Sequence, residues 1–508
     1  MIVVNKIAFI AKAGALITAI AALSACGGSS DDSDNIGYVK FYNASYDSPS
    51  IFMTLDEDLD SDDDDEFEQT FSSVAYGSAG SRVALDPQSY YLELAWQNED
   101  SSVRSDLEII IEDQLSITKD STQWLILTGS IQSPQLNVFD IPIIDDDEAA
   151  DDADDDLFNI RFVNLDETYT NVDVYFSDTD ETFAEATLIT SLSGISLSDN
   201  FKLSEDQYKV YITEAGSTDV LFTAAEIDYS FGGQYLIAIR ENQGVGGSPF
   251  VIDNMSNTRV TQYDALESKA NVSVYNGLDN NDLVDEYNAE IDVQINGTTA
   301  IDAIDALAYG EFSEAYEVES GDYRFTIIND QNDEILLQNR VLSLAQNTNK
   351  TLFLYWTEEE VDDDGDGNVD ENEDGVVDEI RPVISSLLVD NSSRSRLYDK
   401  ELTLLNLVNS DDFSVVSFYF VKSDEIIDTA ENSRSVVQGT TSSVILLNNT
   451  YQVFVIAEID NNDIIIDELT LTLDEESKDQ FLLLEHSDTS SSGFALRIVD
   501  QVAALNDD

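Results

Sequence analysis

One unit recurs four times along this chain, with its markers in a fixed order and at nearly constant spacing. That repetition limits the fold more than any other feature. Each copy opens with an apolar, polar, apolar, apolar, Asn run. The four runs are Val39-Lys40-Phe41-Tyr42-Asn43, Ile160-Arg161-Phe162-Val163-Asn164, Val272-Ser273-Val274-Tyr275-Asn276 and Leu405-Asn406-Leu407-Val408-Asn409. A second alternating segment follows at 51–55, 172–176, 291–295 and 416–420, then a glycine at Gly77, Gly194, Gly310 and Gly439. A Tyr-led segment begins at Tyr90, Tyr208, Tyr323 and Tyr451, and an apolar segment at 123–127, 234–238, 350–354 and 480–484 closes the unit. From Asn to Tyr is 47, 44, 47 and 42 residues, and successive Asn residues are 121, 112 and 133 apart.

Short alternating runs between Gly, Asn, Asp and Ser, with no long stretch of 3.6-residue period, are strand signals. The expected fold is therefore all-β, a tandem array of four immunoglobulin-like β-sandwich domains. They span 36–144, 157–266, 267–398 and 399–508, with an acidic linker at 145–156. Alternation predicts one buried face per sheet and one face left to the acidic residues. The like charges of 145–156 predict an extended linker that holds its neighbours apart. The acidic run from Asp56 to Glu68 is expected as an exposed hairpin insertion, since it falls inside the first unit. The recurrent Tyr reads as a core or corner residue and the Asn as a turn former at a strand end.

Charge excludes whole classes of partner. With 103 acidic against 23 basic residues the net charge is -80, a surface that repels phosphate backbones and anionic headgroups, so nucleic acid is not a partner. Such a surface suits salty solvent, where screening removes much of the self-repulsion, or it collects divalent cations. Hydrophobic residues at 42%, with 22 Tyr and 23 Phe, still supply the cores of several folded domains. The single Cys and single His exclude an intrachain disulfide, a cysteine zinc site and thiol catalysis.

At the N-terminus, Lys6 and Lys12 precede an apolar run from Ala13 to Ala25 that is too short for a membrane span. It ends Leu23-Ser24-Ala25-Cys26-Gly27-Gly28. This resembles the lipobox of bacterial lipoproteins. The resemblance implies a signal peptide at 1–25, lipidation of Cys26, a tether at 26–35 and anchoring to the membrane by acyl chains. Gly27 after the Cys matches the sorting rule for the outer membrane.

The repeated units resemble the domain-of-unknown-function family numbered 4397, found in secreted and lipid-anchored bacterial proteins. The residues that carry the likeness are Val39-Lys40-Phe41-Tyr42-Asn43-Ala44-Ser45-Tyr46-Asp47-Ser48-Pro49, Ala308-Tyr309-Gly310 and Ser320-Gly321-Asp322-Tyr323. The first and third units match well. The second and fourth carry Ser193-Gly194 and Gln438-Gly439 where Tyr-Gly is the pattern. The resemblance implies a fold and a cell-envelope setting, and no chemistry.

One stretch has metal chemistry written into it. Residues 362–373 fit the twelve-residue calcium-loop template: Asp362, Asp364 and Asp366 at positions 1, 3 and 5, Gly367 at the turn, Asn368 offering its carbonyl, Asp370 at 9 and Glu373 at 12. A hard cation takes six to eight oxygens, and only a glycine turn lets so short a segment supply them. A second register uses Asn372, Asp374 and Asp378, but Arg381 stands at its twelfth position. Overlapping Asp-rich turns of this kind resemble thrombospondin type 3 repeats more than paired EF-hands. The flanks read as strands, so the insertion 361–380 is expected at a hairpin tip inside the third unit. Expected calcium affinity is weak, about 10⁻⁴–10⁻³ M; the alternative is a solvated acidic loop.

No catalytic residue stands out, and the chain is expected not to be an enzyme. His486 beside Ser487 and Asp488 reads as a turn residue, since no other copy has an equivalent. Gly244-Val245-Gly246-Gly247 lacks the Lys-Ser/Thr and the helix of a phosphate cradle. The resulting expectation is a lipid-anchored envelope scaffold for adhesion, surface structure or ligand capture. The alternative is a carbohydrate-binding or accessory subunit, and the unidentified partner is a protein or a glycan.

Overall fold

The computed structural model describes residues 35–57, 67–98, 101, 103–144, 157–297, 301–361, 379–392, 394–410, 412–487 and 489–502, with the side chains of 301–303 excepted. The structure is nearly all β, with no α-helix among the described residues. Its sheets stack in four two-sheet modules of one design.

In each module the opening strand (Gly37–Asn43, Leu157–Asn164, Ala270–Gly277, Asp399–Asn406) lies parallel to the closing strand (Ser121–Thr128, Gln234–Glu241, Asn349–Glu360, Gln480–His486). A final strand (Gln135–Pro142, Phe250–Met255, Ile380–Asp390, Phe494–Asp500) returns antiparallel to the closing one. The facing sheet pairs the second strand (Ile51–Asp56, Asn171–Asp178, Glu290–Asn296, Val415–Val421) antiparallel with the Tyr-led strand (Ser89–Trp96, Gln207–Glu214, Gly321–Asn329, Thr450–Ile459). Inward side chains of the two sheets form one apolar core per module.

The recurrent residues fasten this design. Each recurrent Tyr donates its hydroxyl to the carbonyl four residues upstream: Tyr90 to Asp86 at 3.3 Å, Tyr208 to Ser204 at 2.8 Å, Tyr323 to Glu319 at 2.6 Å and Tyr451 to Leu447 at 2.9 Å. This is a tyrosine corner, in which a ring fills the core edge while its hydroxyl satisfies a turn carbonyl. The strand-end Asn is fully buried in every copy. Its Oδ1 accepts the N–H two residues on, and its Nδ2 donates to a backbone carbonyl elsewhere in the module. In the first, third and fourth modules that carbonyl belongs to Val74, Leu307 or Val436, on the edge of the facing sheet. The side chain thus staples one sheet to the other where unpaired backbone groups would be costly.

These bonds correct the fourth copy. Its strand-end residue is Asn406, opposite Leu484 as Asn43 is opposite Leu127, and the opening run is Leu402-Thr403-Leu404-Leu405-Asn406. Asn409 lies beyond the strand end, exposed, and accepts a bond from Gln438. The Asn-to-Tyr distance in this copy becomes 45 residues, closer to the others than 42. The glycine follows the same logic. Gly77, Gly310 and Gly439 have φ of 70°, 77° and 67° and donate their N–H to the carbonyl of Asn43, Asn276 and Asn406. Gly194 also has positive φ but bonds to Thr170 instead.

Two expectations fail together. The outward faces of the opening and closing strands are apolar, not acidic, and they are buried on one another. Tyr42, Trp124 and Ile126 of the first module pack on Val163, Leu236 and Ala238 of the second. Tyr275, Phe353 and Tyr355 of the third pack on Leu405, Phe481 and Leu483 of the fourth. The 145–156 linker lies outside the described residues, but the modules on either side of it share this interface and are not held apart. Contact between apolar faces outweighs the repulsion of a few screened carboxylates.

The two pairs also touch. Residues 394–398, between the third and fourth modules, dock on the first: Arg394 donates to the carbonyls of Tyr46 and Ser48, and the Tyr398 ring stacks on Trp96 at 4.6 Å. Asn347 of the third module bonds with Asn242, Gly246 and Asp264 of the second. A Cβ on Gly244 would collide with the Asn347 amide. The glycine-rich segment therefore serves close approach between modules.

Candidate functional site

The segment that carries the metal candidates is flanked by the two strands of a long hairpin. Strands Asn349–Glu360 and Ile380–Asp390 pair without a break from Lys350 opposite Asp390 to Glu360 opposite Ile380, and the Val361 N–H bonds to the Glu379 carbonyl at 3.0 Å. The stem thus belongs to the third module, and it brings the two ends of the acidic segment together. Asp362, Asp364, Asp366, Asn368, Asp370, Glu373, Asn372, Asp374 and Asp378 themselves lie outside the described residues, as does Cys26. Among the described residues no cluster of three or more His, Cys, Asp or Glu is placed to hold a metal. Asp56 and Glu68 likewise close a hairpin stem, with Asp56 opposite Glu68.

Sequence reasoning missed the polar groups buried between modules. In the first pair, the Tyr42 hydroxyl donates to Oδ2 of Asp253, a residue with no exposed surface. Arg240 Nε donates to the same carboxylate at 2.5 Å, its Nη1 reaches the Tyr76 hydroxyl at 2.7 Å and its Nη2 reaches Gln262 at 2.6 Å. The Arg240 and Arg394 guanidiniums both lie over the Tyr76 ring, at 4.9 and 4.5 Å from its centroid. Burial is the strongest single influence on Arg240 and lowers its pKa, but the Asp253 carboxylate together with Tyr42 and Tyr76 holds the guanidinium above its ordinary value. Burial, reinforced by Asp253, pushes the Tyr42 hydroxyl well above its usual range. Arg394, buried and beside Arg396, is pushed down to about 10.

The second pair repeats the arrangement with its charges exchanged. The Tyr275 hydroxyl donates to Glu485 at 2.6 Å, and Arg497 Nη1 lies 3.5 Å from the other Glu485 oxygen. By register, Glu485 follows the residue opposite Asn406 just as Arg240 follows the residue opposite Asn164. Arg497 faces Leu483 as Asp253 faces Ala238. The cation has moved from the closing to the final strand, and the anion has moved the other way. Burial raises the Glu485 carboxyl above its ordinary range, against the bond from Tyr275 and the charge of Arg497. A signal for these clusters was present: Asp253 is the lone charge of its strand, and Arg240 directly follows the apolar run Leu236 to Ile239.

His486 also bridges modules. Its Nδ1 is 2.6 Å from Asp279 of the third module, and its carbonyl accepts the Tyr309 hydroxyl at 2.9 Å. The Ser487 hydroxyl pairs with Thr489 at 3.1 Å rather than with the imidazole, so the structure brings no Ser–His couple together. Asp488 lies outside the described residues.

Fold and contacts together define a multi-module, all-β protein whose modules associate through spare sheet faces. No protein-family model and no curated protein matches the chain. Solved structures that it resembles include the Bacillus anthracis TIE protein, at 8% identity over 90% of this chain and 75% of that one with a TM-score of 0.15. They also include a leucine-rich repeat protein from Bacteroides thetaiotaomicron, at 12% identity over 39% and 26% with a TM-score of 0.14. A third is the major pilin subunit of Bacillus cereus, at 8% over 65% and 99% with a TM-score of 0.13. Likeness this slight carries no functional argument. No helix among the described residues is long and apolar enough to cross a membrane.

Proposed function

We propose that this protein is a non-enzymatic scaffold of the bacterial cell envelope, tethered by lipidated Cys26 to the outer membrane. The repeats are those of the family numbered 4397, and they present an acidic surface to a protein or glycan partner rather than to nucleic acid. The observation that supports a scaffold is the consumption of sheet faces: the apolar surfaces that could have lined an active-site pocket are spent on contact between modules. The buried polar clusters at those contacts are paired internally, an arrangement suited to fixing module geometry. Calcium held by Asp362, Asp364, Asp366, Asn368, Asp370 and Glu373, with Asn372, Asp374 and Asp378 as a second set, stiffens the tip of the long hairpin.

Calorimetry tests the metal. In millimolar calcium the chain is expected to bind with a dissociation constant of about 10⁻⁴–10⁻³ M. Asp362→Ala with Glu373→Gln should abolish that binding, and heat unchanged by these substitutions overturns the assignment. Fractionation tests the anchor: Cys26→Ser should move the protein from the membrane to the soluble fraction, and retention in the membrane contradicts it.

A further inference from the structure

The two module pairs are built alike, yet one is open where the other is closed. In the second pair, Asp279 lies three residues past the strand-end Asn276, and His486 lies two residues past Leu484. They meet at 2.6 Å, while the indole of Trp356 covers the place and donates to the Asp279 carbonyl. The matching residues of the first pair are Tyr46, three past Asn43, and Glu241, two past Ile239. At the positions of Tyr355 and Trp356 stand Thr128 and Gly129. Smaller residues and the lost ion pair leave a cleft of about 370 Å³ between the first and second modules. That volume is within the range of small-molecule sites, about 300–1,000 Å³, which favour domain interfaces.

The lining indicates the class of ligand. Tyr46 is 36% exposed, and its hydroxyl, the Thr168 hydroxyl and the Glu167 carboxylate have no protein partner among the described residues. Glu241, which takes a hydrogen bond from Gln243, adds further acceptor capacity, and Ala44 and Leu165 complete the lining. Arg240, the cation of the lining, is already paired with Asp253, so Glu167 and Glu241 set the charge of the cleft: they want a donor-rich ligand and repel an anionic one. A quaternary ammonium would want an aromatic cage. Only the Tyr46 ring is available for one, because guanidiniums cover the Tyr76 ring. One flat ring face with hydroxyl, amide and carboxylate groups around it suits the C–H face and equatorial hydroxyls of a pyranose. We infer that the cleft between the first and second modules binds a neutral mono- or disaccharide, stacked on Tyr46 and hydrogen-bonded by Glu167, Thr168, Glu241 and Gln243. Burial, then the neighbouring Asp166, raises the Glu241 carboxyl, consistent with a site that gains from donors brought by a ligand.

This inference goes beyond the scaffold reading, and neither the calcium nor the Cys26 experiment touches it. Saturation-transfer NMR on the full chain with glucose, galactose, mannose, N-acetylglucosamine, maltose and cellobiose tests it. At least one sugar should receive saturation. Tyr46→Ala should weaken that binding. Tyr46→Asp with Glu241→His, which installs the closed pair's ion pair, should reduce affinity at least tenfold. Tyr46 and Glu241 lie outside the apolar cores and both reach solvent, so the denaturation midpoint of the variants should match that of the parent. Silence across the panel overturns the inference, as does binding that survives the double substitution. Saturation of spermidine in place of every sugar also overturns it.

Discussion

Asp253→Ala is expected to destabilise the first module pair by about 3–5 kcal/mol, because it strips the counter-charge from a buried guanidinium. Asp253 has no exposed surface, and it accepts from both Tyr42 of one module and Arg240 of the other. Without it, Arg240 keeps only neutral partners, Tyr76 and Gln262, and Tyr42 loses its acceptor. A triple change to Tyr42→Phe, Arg240→Met and Asp253→Leu should cost far less, since removing both charges together leaves no orphaned charge. Urea unfolding followed by tryptophan fluorescence, to which Trp124 of the same interface contributes, is the measurement. If the single substitution costs no more than the triple one, the buried cluster does not have the role assigned to it.

Phe481→Ala is expected to cost about 3–5 kcal/mol, the range for removing a buried aromatic ring. Phe481 points out of the fourth module's own core, which takes Leu482 and Leu484 instead. Its ring lies 5.0 Å from Phe353 and 6.4 Å from Phe312, both in the third module. Were the modules separate beads, this ring would face solvent and the substitution would fall within about 0.5 kcal/mol of neutral. The size of the effect therefore distinguishes a paired from a strung-out arrangement.

The strands, the corner tyrosines and the turn glycines were legible because each depends on local pattern: alternation, ring size and positive φ. The strand-end Asn was legible three times and misplaced once. Leu402 to Asn409 offers two overlapping matches to one five-residue pattern, and only the bonds of Asn406 choose between them. The pairing of modules left a trace that alternation alone does not read. Closing strands such as Gln123-Trp124-Leu125-Ile126-Leu127 are continuous apolar runs, the mark of a strand buried on both faces. The same trace explains why the first and third copies keep Tyr-Gly while the others do not. Tyr76 and Tyr309 reach the partner module, to Arg240 and to the His486 carbonyl. The cleft beside Tyr46 could not be read from sequence, because it arises from differences between two pairs that become comparable only once register is known.

Small-angle scattering of the lipid-free chain tests the central claim, that the four modules close on one another in two face-to-face pairs. The account predicts a single-peaked pair-distance distribution and a radius of gyration on the order of 25 Å, as expected for a compact chain of this length. A multi-peaked distribution, with a radius roughly half as large again as that compact scale, would contradict it.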